Sequence, residues 1–589
     1  MTAALVEPRV RRRIVVRGAV QGVGFRPFAY RLADDLGLAG FVGNDAGGAF
    51  IEVEGPPRAV AAFASRLAHE APPLARIDGV EVTPLHPTGA ATFAIAPSRA
   101  GAGERTLVPP DTATCDACLA ELRDPADRRY RHPFITCTDC GPRFTIIRGL
   151  PYDRPATTMA GFPLCADCAA EYADPRDRRY HAQPIACHAC GPRIAFVDAR
   201  GDVVTGTDAA LAAVHAAWAA GLVVAVKGIG GYHLTCDATS DTALGALRER
   251  KGRGDRPFAV MVAGLLAASR LAGLDDDAAA ALASPARPIV LAPRLPDAPL
   301  SHLIAPGNPD VGVLLAYSGL HHLLLAPVPG CQGSPPPAIV ATSGNRSGEP
   351  ICTDDADARV RLADLADAFL VHDRPIHLPC DDSVVRATPG GRRPVRRSRG
   401  YAPLPVALPI PVAPTLALGG ELKNTFCLAS GTHAFMSQHI GDLENLETLA
   451  ALARSVDLLR ALYRIEPEVV AVDPHPGYLS RRFGVERCGA ARTRPASSRF
   501  ANTPPVRPTR WTPVRSATSA ARCAKPSASA RWKPSASAAG SRPASVADAR
   551  SARRGAGSST PSSSRASASA GDVAAVAASA SSSIAACAS

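Results

Sequence analysis

Residues 115–144 read CDACLAELRDPADRRYRHPFITCTDCGPRF, and residues 165–194 read CADCAAEYADPRDRRYHAQPIACHACGPRI. The second stretch repeats the first at an offset of 50 residues, so the chain carries two copies of one small module. Each copy opens with a C-x2-C knuckle and closes with another after 18 intervening residues. That spacing supplies four thiolates to one tetrahedral zinc, and a shell of four thiolates leaves no open position for catalysis. Cys115, Cys118, Cys137 and Cys140 are assigned to one zinc, and Cys165, Cys168, Cys187 and Cys190 to a second. Crossed pairing of the knuckles is the alternative. Both zinc ions are expected to be structural, because modules of this size draw their folding free energy from the metal. The tandem four-cysteine region is expected over residues 110–196.

Outward on the N-terminal side, residues 10–98 read strand, helix, strand, strand, helix, strand, the order of a ferredoxin-like two-layer sandwich. Between the first strand and the first helix stands Gln21-Gly22-Val23-Gly24-Phe25-Arg26. The two glycines let backbone N–H groups turn inward, the helix N-terminus adds positive potential, and Arg26 can hold a phosphoryl group bidentately. Asn44, closing the second strand, can set a water in line with such a group.

Outward on the C-terminal side, residues 203–403 alternate alanine-rich helical stretches (Asp208 to Ala220, Asp241 to Lys251, Asp355 to Ala366) with apolar runs, which predicts an α/β domain on an extended sheet. Two loops stand out there. Lys251 and Arg253 leave a helix end, where they can clamp phosphates. Ser343 and Asn345 lie in a Gly-rich loop after a strand, where they can donate hydrogen bonds to the same group. Lys227 and His233, on the strand-to-loop segment Lys227 to His233, are candidates for the same pocket, and the paired Asp381 and Asp382 are either catalytic or turn-forming. A further α/β segment spans 412–485. From 486 to 589 the periodicity stops: Leu, His and Glu are absent after Leu479, His475 and Glu486, and Ser, Ala, Arg and Pro dominate. Such a composition cannot bury enough apolar area to fold, so this tail is expected to be disordered or out of frame.

The chain has 589 residues and a net charge of +12. From Cys488 onward 15 Lys and Arg face only Asp548 and Asp572, so the remainder is near neutral and offers no basic face for nucleic acid. Met1 to Arg13 lacks a signal-peptide core and no apolar run reaches membrane-spanning length, which predicts a cytoplasmic protein without membrane or nucleic-acid partners.

The string from Val16 to Arg26, with Gly40 to Asn44, closely resembles acylphosphatases; the resemblance implies Arg26 as phosphate ligand and Asn44 as the residue that orients water. The motifs around Lys251 and Ser343, with Ser398-Arg399-Gly400-Tyr401, resemble the YrdC/Sua family, which makes carbamoyl adenylates from ATP; this implies Lys251, Arg253, Ser343, Asn345, Ser398 and Arg399 as nucleotide-site residues. Segment order, together with Leu418 to Phe426 and Ser437 to Leu443, resembles the family of hydrogenase-maturation carbamoyltransferases. That resemblance implies a multidomain α/β protein: acylphosphatase, tandem zinc modules, YrdC-like domain and the start of an actin-like, TsaD-like domain.

It also implies a route: carbamoyl phosphate is hydrolysed, carbamate is joined to AMP from ATP with Mg2+, and the carbamoyl group passes to the C-terminal cysteine of the partner HypE, where it becomes a hydrogenase cyanide ligand. The family's last domain carries a histidine-rich metal cluster whose metal this sequence does not identify. With no histidine after His475, its ligands are expected to be missing and the final transfer impaired. The alternatives are a tRNA threonylcarbamoyl-adenylate synthase, which leaves the first domain unexplained, and a zinc-bearing interaction protein.

Overall fold

A computed structural model describes residues 8–491, apart from 46–47, 73, 97–106, 151, 332, 389–390 and 474. The tail from 492 onward therefore lies outside the described residues. The N-terminal segment forms a five-stranded sheet of order β4-β1-β3-β2-β5, with β1 Val10–Ala19, β2 Ala39–Asp45, β3 Gly48–Gly55, β4 Arg76–Leu85 and β5 Phe93–Ile95. Helices Phe25–Asp35 and Pro57–His69 complete it. The helices bury Phe25, Leu32, Val60, Phe63 and Leu67 against Ile14, Val16, Val42 and Ile51, the two-layer sandwich the alternation implied. Each strand is longer than its β-branched kernel, because the ladder β1–β3 carries pairing out to Val10 and Gly55.

Each four-cysteine module is one short helix, Asp116–Arg123 or Ala166–Ala173, starting at the first knuckle, with turns leading to the second. The strand β6, Ile194–Val197, begins directly after the second module and pairs antiparallel with β15, Ala368–His372. It thereby belongs to the next sheet.

That next region is not the one extended sheet expected from the alternation. It has two six-stranded sheets, β14-β9-β8-β15-β6-β7 and β13-β10-β12-β11-β16-β17. The remaining strands are β7 Val203–Thr205, β8 Val224–Lys227, β9 Tyr232–Thr235, β10 Ala259–Val262, β11 Ile289–Pro293, β12 Asp310–Leu315, β13 Ile339–Val340, β14 Thr342–Ser343, β16 Val384–Thr388 and β17 Gly391–Arg396. The apolar run 338–341 reads as one strand. The chain instead changes sheets at Ala341, β13 pairing with β10 and β14 with β9. Strands β8 and β9 are buried at every position, so their alternation carries no inside-outside signal.

Helix Asp241–Lys251 has the predicted bounds, capped by Ser240 and ended by Gly252 at φ 58°. The helix expected to reach Ala366 ends at Arg361, because Leu362 and Leu365 turn into the core. The last region pairs β18 Pro405–Leu418 with β19 Phe426–Met436 and β20 Val469–Ala471. Its helices are Leu446–Tyr463 and Leu479–Ala491, and the second runs through the expected boundary at 485.

Candidate functional site

Two polar pockets and two thiol clusters gather the candidate functional residues. In the first pocket Gly22 (φ 68°) and Gly24 (φ 77°) occupy left-handed conformations that a Cβ would strain, and Gly24 caps the helix that starts at Phe25. Gln21 Nε2 donates to the carbonyls of Asp45 (2.6 Å) and Gly48 (3.1 Å), which ties the end of β2 beside the cradle. Arg26 and Asn44 both line the resulting cavity of about 70 Å³, and Asn44 is 3% exposed with no hydrogen-bond partner for Oδ1 among the described residues. Burial lowers the Arg26 pKa while Tyr180 and Asp153 oppose the shift. Sequence reasoning missed the opposite wall: Thr138, Arg143, Tyr152, Asp153, Tyr180, His181 and Gln183 come from the finger modules and their connector. Only the divergence of the repeat copies, Arg131 against His181, marked it.

In the first thiol cluster the Sγ–Sγ distances are 3.7 Å (Cys115–Cys137), 3.8 Å (Cys137–Cys140) and 3.6 Å (Cys118–Cys140). In the second, Cys165–Cys187 and Cys187–Cys190 are both 3.7 Å. A tetrahedron with metal–sulfur bonds of about 2.3 Å has edges of about 3.8 Å, so both sets fit zinc and pair within each copy rather than across. Guanidinium groups do cross. Arg128 of the first copy donates to Cys168 (3.2 Å) and Glu171 (3.0 Å), and Arg178, its equivalent 50 residues on, donates to Cys118 (3.1 Å) and Glu121 (3.0 Å). Arg129 and Arg179 repeat the exchange, Arg129 to Glu171 and Arg179 to Glu121, and reach the Ala186 and Thr136 carbonyls. A zinc bound by four thiolates carries net negative charge, and each cluster thus receives its compensating cation from the other copy.

The second pocket, of about 160 Å³, gathers Lys251, Arg253, Arg256, Arg396 and Lys423 with Ser343, Asn345, Asp381 and His439. Lys251 Nζ donates to the Ser343 carbonyl (2.5 Å), the Asn345 carbonyl (2.6 Å) and Asn345 Oδ1 (2.9 Å). Burial, then the charge of Arg253, lowers its pKa to about 7. Burial and the neighbouring Arg396 bring Arg253 to about 10. Such mutual repulsion among cations suits a polyanionic ligand.

Four of the six implied nucleotide residues, Lys251, Arg253, Ser343 and Asn345, meet here. Ser398 and Arg399 do not line this pocket. Both are buried, and Arg399 donates to Asp382 (2.6 Å) and to the carbonyls of Ala286 (2.9 Å) and Arg287 (2.8 Å) while covering the Tyr317 ring. Arg399, reinforced by His233, holds the Asp382 carboxyl well below its usual range against the effect of burial. Asp382 is therefore a packing partner, whereas Asp381 faces the pocket. Lys227 and His233 also lie apart from it: Lys227 bonds Asp355 (2.6 Å) and the His372 carbonyl (2.8 Å), and His233 bonds Asp382 (3.2 Å). Sequence reasoning missed Arg396, Lys423 and His439; the basic run before Ser398 was the available signal for the first.

Family profiles match the same order of segments: Acylphosphatase over residues 12–95, the HypF finger over 114–147 and 164–197, a Sua5/YciO/YrdC profile described as telomere recombination over 216–398, and the HypF Kae1-like domain over 411–496. Carbamoyltransferase HypF of Synechocystis sp. is 48% identical over 471 residues, 80% of this chain and 60% of that protein. The acylphosphatase of Anaeromyxobacter dehalogenans is 50% identical over 82 residues, 14% of this chain and 87% of that protein. A crystal structure of full-length HypF in the phosphate- and nucleotide-bound form superposes with a TM-score of 0.76 at 42% identity, covering 82% of this chain and 62% of that one. The chain spans about three fifths of the length of the HypF proteins it matches.

Proposed function

Because the chain belongs to the HypF family over residues 12–496, we propose that it converts carbamoyl phosphate and ATP into carbamoyl adenylate, for transfer to the C-terminal cysteine of HypE. The observation that carries this reading is the presence in one folded unit of a phosphate cradle and a separate cationic pocket. In the cradle, backbone N–H groups at Gly22 and Gly24 and the Arg26 guanidinium hold the phosphoryl oxygens, and Asn44 orients water toward phosphorus. A water oxygen–phosphorus bond forms as the phosphorus–oxygen bond to the carboxyl breaks. Carbamate leaves with the electron pair, and the water protons pass to phosphate and solvent.

In the cationic pocket Lys251, Arg253, Arg256 and Arg396 neutralise the triphosphate of ATP, which arrives with Mg2+. A carbamate oxygen then bonds to the α-phosphorus, and the bond to pyrophosphate breaks. The adenylate turns a poor acyl donor into a reactive one, and a thiolate is the natural acceptor because it is nucleophilic near neutral pH. Lys423 and His439 bring the last region to the edge of this pocket, where the acceptor thiol of HypE can approach. Zinc in the two clusters supplies folding free energy and no chemical step. Among the described residues no helix is long and apolar enough to cross a membrane.

The test is to follow phosphate release from carbamoyl phosphate and carbamoyl-phosphate-dependent exchange of labelled pyrophosphate into ATP. The reading expects both, with Arg26→Ala suppressing both and Lys251→Met suppressing exchange only. A protein with neither activity would overturn it.

A further inference from the structure

We propose that Tyr152, Asp153, Tyr180 and His181, contributed by the finger region, make the phosphate cradle selective for carbamoyl phosphate over other acyl phosphates. This rests on the acylphosphatase reading of that cradle. The cradle is common to proteins that consist of little else: this chain's 82 matching residues make up 87% of the Anaeromyxobacter acylphosphatase. Here a second wall is pressed against it. A Cβ placed on Gly22 would come within 3.3 Å of Pro109 Cγ and 3.5 Å of Tyr152 Cδ1, and one on Gly24 within 2.8 Å of Asp139 Oδ1.

That wall is polar in a particular sense. Tyr152 Oη lies buried within reach of the Arg143 guanidinium, and Asn44 Oδ1 has no hydrogen-bond partner among the described residues. Asp153 adds a carboxylate close enough to Arg26 to shift its titration. His181 occupies a left-handed turn at φ 53°, and its repeat equivalent Arg131 adopts the same turn at φ 56°. Arg131 spends its charge on Asp208 at 2.6 Å. His181 instead faces the cradle, where burial and the charge of Arg26 keep its ring neutral and able to accept a hydrogen bond. The copy that meets the substrate has thus exchanged a permanent donor for an acceptor.

Carbamoyl phosphate and acetyl phosphate differ by an amino group in place of a methyl. The amino group offers two N–H donors to this set of acceptors. The methyl offers none and leaves buried polar atoms unpaired, and sites built to bond an N–H discriminate strongly for that reason.

The experiment compares kcat/KM for carbamoyl phosphate and acetyl phosphate in the full chain and in Tyr152→Phe, Asp153→Asn and His181→Ala, with zinc content confirming that each variant is folded. The expected result is a wild-type preference for carbamoyl phosphate that falls tenfold or more in at least two of the variants. Equal use of both substrates by the wild type, or variants that lose both activities in parallel with the ratio unchanged, would overturn the selectivity while leaving the acylphosphatase reading in place. Hydrolysis of neither substrate would remove both.

Discussion

At the residue scale, the side chains that matter are the ones whose surroundings contradict their ordinary solution behaviour. Lys251 is the sharpest case. Unfolded, its amine keeps a proton up to about pH 10.5, whereas burial and Arg253 release it above about 7 in the folded protein. Across that window the unfolded chain binds more protons, so this group's contribution to stability rises with pH. On the proposed reading the triphosphate of ATP should reverse the shift, so that binding takes up a proton and affinity falls as pH rises above about 7. Calorimetry of ATP binding at pH 8 in buffers of different ionisation enthalpy should show that uptake, and Lys251→Met should abolish it.

Arg399 makes the opposite point. The motif around it suggested a nucleotide ligand, yet its donors are consumed by Asp382 and two carbonyls. Replacing it with Ala strips the guanidinium from buried Asp382 and leaves it the weaker His233 contact, which should cost about 3–5 kcal/mol in denaturant titrations. Arg26→Ala should cost about 10²–10³-fold in phosphate release without affecting stability to that extent. Arg26, Asn44 and Lys251 are read from short motifs that fall in the first turn of a helix, at the end of a strand and at the end of a helix, and each lines a polar pocket. Ser398 and Arg399, implied by the family resemblance, do not line the cationic pocket; their partners are 15 to more than 100 residues away.

At the element scale, the repeated module is more than two copies side by side. The cysteine spacing was sufficient to predict two four-thiolate clusters, because ligand geometry within one copy is local. The exchange of Arg128 and Arg178 between copies was invisible in it, since cysteine spacing carries no record of which copy an arginine side chain reaches. The exchange predicts reciprocal metal coupling: Arg178→Met should speed zinc release from the Cys115 cluster and Arg128→Met from the Cys165 cluster. Chromophoric chelator kinetics, on protein with one cluster disabled at a time, would separate the two. The switch of the 338–341 run between sheets at Ala341 belongs to the same scale. A four-residue apolar run carries no record of which edge each half will meet.

At the scale of the whole molecule, the two clusters are unequal. Leu119, Phe134 and Ile135 of the first copy share one core with Trp218, Leu314 and Leu370 of the following α/β region, while buried apolar residues of the second copy sit in two small clusters, one around Cys168 and Ile185 and one joining Ala186 to Ile146 and Met159. Cys118→Ser should therefore lower the calorimetric melting temperature more than Cys168→Ser, and should impair pyrophosphate exchange as well as phosphate release.

The sequence by itself determined the order of segments, the thiol sets and the glycine turn that leads into the first helix, all features in which the residues that cooperate are near neighbours along the chain. Only the tertiary structure decided that the fingers wall the cradle, that the α/β region has two sheets, and that Lys423 and His439 join Lys251 in one pocket. Those arrangements bring together groups far apart in the chain, and burial, charge repulsion and unpaired polar atoms arise only once they meet.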